Sequence, residues 1–199
     1  MHADIVFPNR NEKEFLEIAE KLGYGRIVFA YENADKIPTQ MPKSKIRILT
    51  GIATNEKGIQ KAKNKAGFVL VKSIGNDRWA FEKSEADIIF GLEEAQKKDF
   101  MHHRASGLNQ VLCKIAQQKG KMIALPFSTL LKAKGMLRAQ LMGKMMQNIR
   151  FCRKYKVNTI LASFAQSPYQ MRAVKDLMAL GMVLGMHPKE ADDAMSWIK

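Results

Sequence analysis

The chain has 199 residues, 46% of them apolar, with only 13 glycines and 6 prolines, which excludes a disordered polymer and allows a sizeable core. No run of about 18 apolar residues occurs, so no membrane span is expected. Met1–Ile5 lacks the basic and apolar parts of a secretory leader, and the expected location is cytoplasmic. The formal net charge is +14, which makes the position of the excess the first question.

Short β-rich runs alternate with helical patterns along the whole length. The first strand is expected over Ile5–Phe7. A helix follows over Asn11–Leu22, with Asn11 as N-cap and Glu14 three positions on. Strands are then expected at Arg26–Ala30 and Lys45–Ile52, a helix at Asn55–Lys65, and strands at Gly67–Val71 and Ala86–Phe90. The loop His102-His103-Arg104-Ala105-Ser106-Gly107 enters a helix at Ser106 whose apolar stripe is Leu108, Val111, Leu112, Ile115 and Ala116. After a strand at Met122–Leu125 comes a long basic helix, Met136–Tyr155, and a last strand at Thr159–Ala162. Ser167-Pro168-Tyr169-Gln170 has the form of a capping box with proline at N1, opening a helix to about Met182. His187-Pro188-Lys189-Glu190 opens a final helix in the same way. Cys113 and Cys152 fall within apolar helices and are read as small buried hydrophobes.

The strand runs are almost continuously apolar, as parallel strands covered on both faces are. Seven strand–helix alternations fit a doubly wound sheet or a βα barrel. The first strand is followed by Pro8-Asn9-Arg10 rather than a glycine-rich nucleotide loop, which disfavours the doubly wound dinucleotide fold. Residues 1–199 are therefore expected to form one α/β domain, a TIM-like βα barrel of about seven strands. It should be incomplete or irregular, with a degenerate eighth unit around Ser73–Phe81.

The charge is concentrated in one segment. From Phe100 through Lys175 there is no Asp or Glu, and these 76 residues carry 14 of the 33 Lys and Arg. The remaining 19 bases are balanced by the 19 acids of the chain. A folded surface of one sign repels itself unless an anion meets it, and nucleic acid is the expected anion. His103, Arg104, Lys114, Arg138, Arg150, Arg172 and Lys175 are the expected RNA contacts, with Arg153, Lys154 and Lys156 beside them. Arg172 stands out because a cation in the first turns of a helix opposes its dipole. Aromatic residues are sparse here, which favours recognition of RNA shape and backbone over stacking on single strands.

No enzyme-like constellation accompanies the charge. Metal-dependent phosphoesterases on barrels gather several His and Asp at the strand ends. The four histidines are His2, His102, His103 and His187. His2 and Asp4 begin the first strand instead of ending it, and the acid-free segment removes carboxylates from the last two strands. No metal site, bound cofactor, activated Ser or Cys, P-loop or CxxC pattern is expected.

Three segments carry a family resemblance: His103–Leu112, Asn148–Val157, and Ala162–Ala165 continuing through Met171-Arg172 to Asp176-Leu177. With Gly181–Met186 they resemble the archaeal ribonuclease P protein component 3 family, related to the thirty-kilodalton subunit of the eukaryotic enzyme. The chain departs from the commoner family pattern at Asn109-Gln110 and at Ala124, where Asp-His and an acid are frequent. The resemblance implies an incomplete βα barrel related to metal-dependent phosphoesterases but lacking their ligands. It further implies a non-catalytic subunit of the ribonucleoprotein that removes 5′ leaders from precursor tRNA. Magnesium would then belong to the catalytic RNA. The implied partners are ribonuclease P RNA and the small RNA-recognition-motif-like subunit, with precursor tRNA met indirectly. The competing readings are a metal-dependent phosphoesterase on the same barrel and a generic structured-RNA binder.

Overall fold

The computed structural model describes residues 1–54, 59, 62, 65–75, 77–96, 99 and 101–198. Seven strands form one sheet in sequence order, every neighbouring pair parallel. They are β1 (Ala3–Val6), β2 (Arg26–Tyr31), β3 (Arg47–Thr54), β4 (Phe68–Lys72), β5 (Ile88–Phe90), β6 (Met122–Pro126) and β7 (Thr159–Ala162). All seven expected strands are present, β1 two residues early at its start. The helices are α1 (Glu12–Lys21), α2 (Arg78–Glu82), α3 (Gln110–Gln118), α4 (Phe127–Lys132), α5 (Gly135–Tyr155), α6 (Val174–Val183) and α7 (Pro188–Met195). The helix expected over Asn55–Lys65 lies, apart from Ile59, Ala62 and Lys65, outside the described residues.

The apolar runs are nearly continuous because most strands bury both faces, β3 being the partly open one. Ala3, Ile5, Val28, Ala30, Leu70, Ile88, Phe90, Ala124, Ile160 and Ala162 point inward and fill the barrel. The alternate residues, among them Val6, Ile27, Phe29, Val69, Ile89, Ile123 and Leu161, point outward under the helices. Each large side chain so buried contributes about 1.5–3 kcal/mol. Trp197 and Ile198 close the amino end of the barrel: the Trp197 ring meets Phe68 edge-on at 5.1 Å, and the Arg26 guanidinium donates to the Ile198 carbonyl. At the carboxyl end Phe7, Phe90 and Phe164 pack together, with centroids 5.0–6.4 Å apart.

The seam lies between β1 and β7, where an eighth strand is missing. A single bridge, Val6 to Ala165, spans it, with the Phe7 amide donating to the Ala165 carbonyl at 2.8 Å. Asp4 supplies the rest. Its carboxylate accepts from the Ser163 amide and the Ser163 hydroxyl, both at 2.6 Å, replacing part of a strand ladder with side-chain bonds. Ser73–Phe81 is not a degenerate barrel unit. Asp77 accepts from the Ser73 hydroxyl and the Ile74 amide and turns the chain directly into α2, the ordinary crossover from β4 to β5.

Three helix starts differ from expectation. Asn11 does not cap α1: Arg10 adopts φ 60°, and the Asn11 side chain accepts from the Asn9 amide instead. Helix α3 begins four residues after Ser106, because Asn109 is the real cap, accepting from the Val111 and Leu112 amides. The buried face of α3 is Leu112, Cys113 and Ala116, and Val111, expected in the apolar stripe, is 51% exposed. Ser167 caps nothing. Pro168–Gln170 is a single 3-10 turn, and Met171–Ala173 runs extended before α6. The buried Met171 side chain and the bond from the Tyr24 hydroxyl to the Arg172 carbonyl hold that break against the local helix signal. The box at His187 and Glu190 forms as expected.

Candidate nucleic-acid interface

Two hollows lie on the described surface. The mouth at the carboxyl end of the barrel has a volume of about 1320 Å³. Its charged groups are mostly spent on one another. Lys72 pairs with Glu94 at 2.6 Å, the Thr129 hydroxyl donates to Glu94 at 2.8 Å, and the Tyr31 hydroxyl donates to Glu12. Burial raises the Glu94 carboxyl, but Lys72 and Thr129 more than offset that and hold it below its ordinary value. Next to it Glu93 is completely buried, its carboxylate oxygens have no hydrogen-bond partner among the described residues, and burial pushes its pKa up to about 7.

Metal ligation does not fit this mouth. Among the described residues no three His, Cys, Asp or Glu converge on a point that could hold an ion. Asp4 is fully buried at the seam, raised by that burial to about 6 despite its bonds to Ser163, and His2 pairs with Asp192. Neither thiol offers a nucleophile: Cys113 and Cys152 are buried in α3 and α5 and raised by burial to about 12.

The second hollow, about 760 Å³, runs along the outside of the barrel between the loop 103–109, the start of α3 and the lower half of α5. The loop is fixed from below. Gln147 donates to the Arg104 carbonyl at 3.0 Å and to the Ser106 hydroxyl at 2.9 Å, and the buried Asn148 amide donates to the Ser106 carbonyl. Gly107 has φ +79° and lies so close to the Leu92 carbonyl that no Cβ would fit. The Arg104 side chain lies over Gly143, another position where a Cβ would collide with it. The amino end of α3 is not an open anion site, since Asn109 already occupies its second and third amides.

The expected RNA contacts divide into two groups. The side chains of Arg104, Lys114, Arg150 and Lys175 are exposed and have no hydrogen bond or ion pair to a described side chain or carbonyl. Arg104 and Arg150 share the outer face of α5, with Lys114 on the adjoining α3, and His103 lines the groove. Exposed Arg138 and half-buried Arg172 instead bind carbonyls of the same chain. Arg138 donates to the Leu130 and Ala133 carbonyls, closing the α4–α5 turn. Arg172 donates to the Tyr169 and Met171 carbonyls, with its guanidinium 5.2 Å from the Phe127 ring centre. Because α6 starts after it, Arg172 opposes no helix dipole. Two buried lysines were not singled out in the sequence. Lys121 donates to the Ser84 and Ala86 carbonyls, and Lys144 donates to the Gln96 carbonyl. Lys144 had a readable signal, since it falls on the apolar face with Leu141, Met145 and Asn148.

The profile of the family described as RNase P subunit p30 matches residues 4–198. The chain belongs to that family. The ribonuclease P protein component 3 of Methanosarcina mazei is 29% identical over 194 residues, covering 94% of this chain and 80% of that protein. In a cryo-EM structure of archaeal ribonuclease P with mature tRNA, one chain superposes with a TM-score of 0.77 at 22% identity, over 98% of this chain and 87% of its own length. An amidohydrolase crystal structure superposes at 0.54 and 7% identity, over 91% of this chain and 64% of its own, a likeness of barrel fold alone. This chain thus builds a nearly closed TIM-like barrel of seven parallel strands.

Proposed function

We propose that this p30-family chain works in ribonuclease P as an RNA-binding subunit that supports RNA-catalysed removal of 5′ leaders from precursor tRNA. The observation carrying this reading is the set of exposed cations, Arg104, Lys114, Arg150 and Lys175, whose side chains have no partner among the described residues, in a segment of the chain without Asp or Glu. Guanidinium and ammonium groups in water without an internal acid are placed to displace counterions from a phosphate backbone. The chain contributes no acid, base or nucleophile to cleavage. Magnesium is held by the catalytic RNA, and the small RNA-recognition-motif-like subunit is the protein partner, with precursor tRNA reached through the assembled particle. The test is precursor-tRNA cleavage by a particle reconstituted with and without this chain, in magnesium. Faster cleavage or a lower magnesium requirement with the chain is expected. Metal-dependent cleavage by the chain without RNA, lost in Asp4→Ala, would return the phosphoesterase reading.

A further inference from the structure

The groove beside α5 has features that a purely phosphate-binding surface does not need. Phe151 and Tyr155 lie along its floor, half-buried, ring planes 24° apart and centroids 6.5 Å apart. Val111 lies across from them with half its surface in water. The groove is also positive. Arg104 and Lys154 line it, the Lys154 ammonium 5.6 Å from the Tyr155 ring centre. Among the described residues lining it, the one carboxylate is Asp77, which is buried and already accepts from Ser73 and Ile74. Side-chain amides stand at the edge: Asn109, whose oxygen is used as a cap but whose NH₂ is not, and Gln110, which meets the Tyr155 hydroxyl only at a long 3.4 Å. The walls are held by the chain itself, since Gln147, Asn148 and Gly107 fix the loop, so little ordering is left to oppose binding.

We infer that this groove takes one unstacked RNA base, its face against Phe151 and Tyr155, its edge toward Asn109 and Gln110, and its flanking phosphates toward Arg104 and Lys154. A base has the apolar faces that aromatic rings accept and the polar edge that amides read, and its backbone carries the charge that the cations require. An acidic peptide would satisfy the cations but would leave the aromatic floor without a matching plane. The inference rests on the RNA-binding reading and names the form in which RNA meets this face.

The two terms separate in a salt titration. Stacking does not release counterions, whereas each phosphate contact does. The measurement is affinity for the ribonuclease P RNA of Methanosarcina mazei, between about 50 and 200 mM salt. Tyr155→Leu and Phe151→Leu keep apolar volume and lose the ring. Each is expected to weaken binding about tenfold at every salt concentration and leave the log–log slope unchanged. Tyr155→Phe keeps the ring and should bind within about twofold of the unaltered chain, while Arg104→Ala should make the slope shallower by about one. If the leucine variants bind normally while Arg104→Ala still changes the slope, the base site is wrong and the RNA reading stands. If Arg104→Ala and Arg150→Ala also leave the slope unchanged, both fail. Should the leucine variants melt early, photo-cross-linking of the unaltered chain to 4-thiouridine-substituted RNA decides. Adducts at residues 104–111 or 151–155 are expected, and adducts confined to other segments overturn the inference.

Discussion

Up to Asp99 and beyond Phe100, this chain neutralises its cations differently. Among the described residues of the first region, the cations with an internal partner sit mostly on carboxylates: Lys36 on Glu32, Lys72 on Glu94, Arg78 on Glu82. In the acid-free region the cations with an internal partner sit mostly on backbone carbonyls: Lys119 on Glu82, Lys121 on Ser84 and Ala86, Arg138 on Leu130 and Ala133, Arg172 on Tyr169 and Met171. A carbonyl satisfies the donors but leaves the net charge, so using cations as internal fasteners keeps the region positive. Arg153 and Lys144 also reach carboxylates outside the segment, Glu190 at 2.6 Å and Asp99 at 3.7 Å. Cations therefore carry two tasks here: some hold loops and helix ends together, and the others face water.

The largest expected effect tests the acid-bearing side. Asp4 and Glu93 have folded pKa values of about 6 and about 7, above the ordinary 3.8 and 4.5, because burial disfavours their charged forms. The folded state therefore binds more protons than the unfolded one, and stability rises as pH falls through these values. The gain is complete below the unfolded values and lost as pH climbs past about 7. Each group contributes up to about 3 kcal/mol to this dependence. Urea denaturation should show higher midpoints near pH 5 than near pH 8, and Asp4→Asn and Glu93→Gln should each flatten the curve. An unchanged curve in both variants would remove buried acids from the first region's account.

On the acid-free side, Lys121→Met should cost about 2–3 kcal/mol, since it strips two buried carbonyls of a charged donor. RNA affinity and its salt dependence should stay as they were. Arg172→Ala should cost about 1 kcal/mol, read as a lower melting temperature, again with the salt slope unchanged. A normal melting temperature with a shallower slope would move Arg172 into the water-facing group. The smallest effect on stability belongs to Arg104→Ala and Arg150→Ala, within about 0.5 kcal/mol. Each should nonetheless make the RNA salt slope shallower by roughly one. A melting loss in either would show that the two tasks are not divided as described.

The sequence by itself determined the seven strands, their parallel order and the barrel. Ile27–Tyr31, Val69–Val71 and Ile88–Phe90 are apolar on both faces, as a parallel sheet covered inside and out requires. It also determined where the excess charge lies, because composition is a property of the chain. Segments such as His103–Leu112 and Asn148–Val157 were enough to mark the family. Tertiary structure decided what each charged side chain does. Arg104 and Arg172 look alike as isolated cations in polar loops, yet one lies over Gly143 facing water and the other is clasped by carbonyls beside Phe127. Only the packing of α4, α6 and the 168–170 turn brings those carbonyls and that ring together. The same holds for helix starts. Ser167-Pro168 carries a strong local cap signal, and the core's hold on Met171 with the Tyr24 bond to Arg172 overrides it. Local propensity is worth about 1 kcal/mol at a cap, and a buried methionine with a long-range hydrogen bond outweighs that.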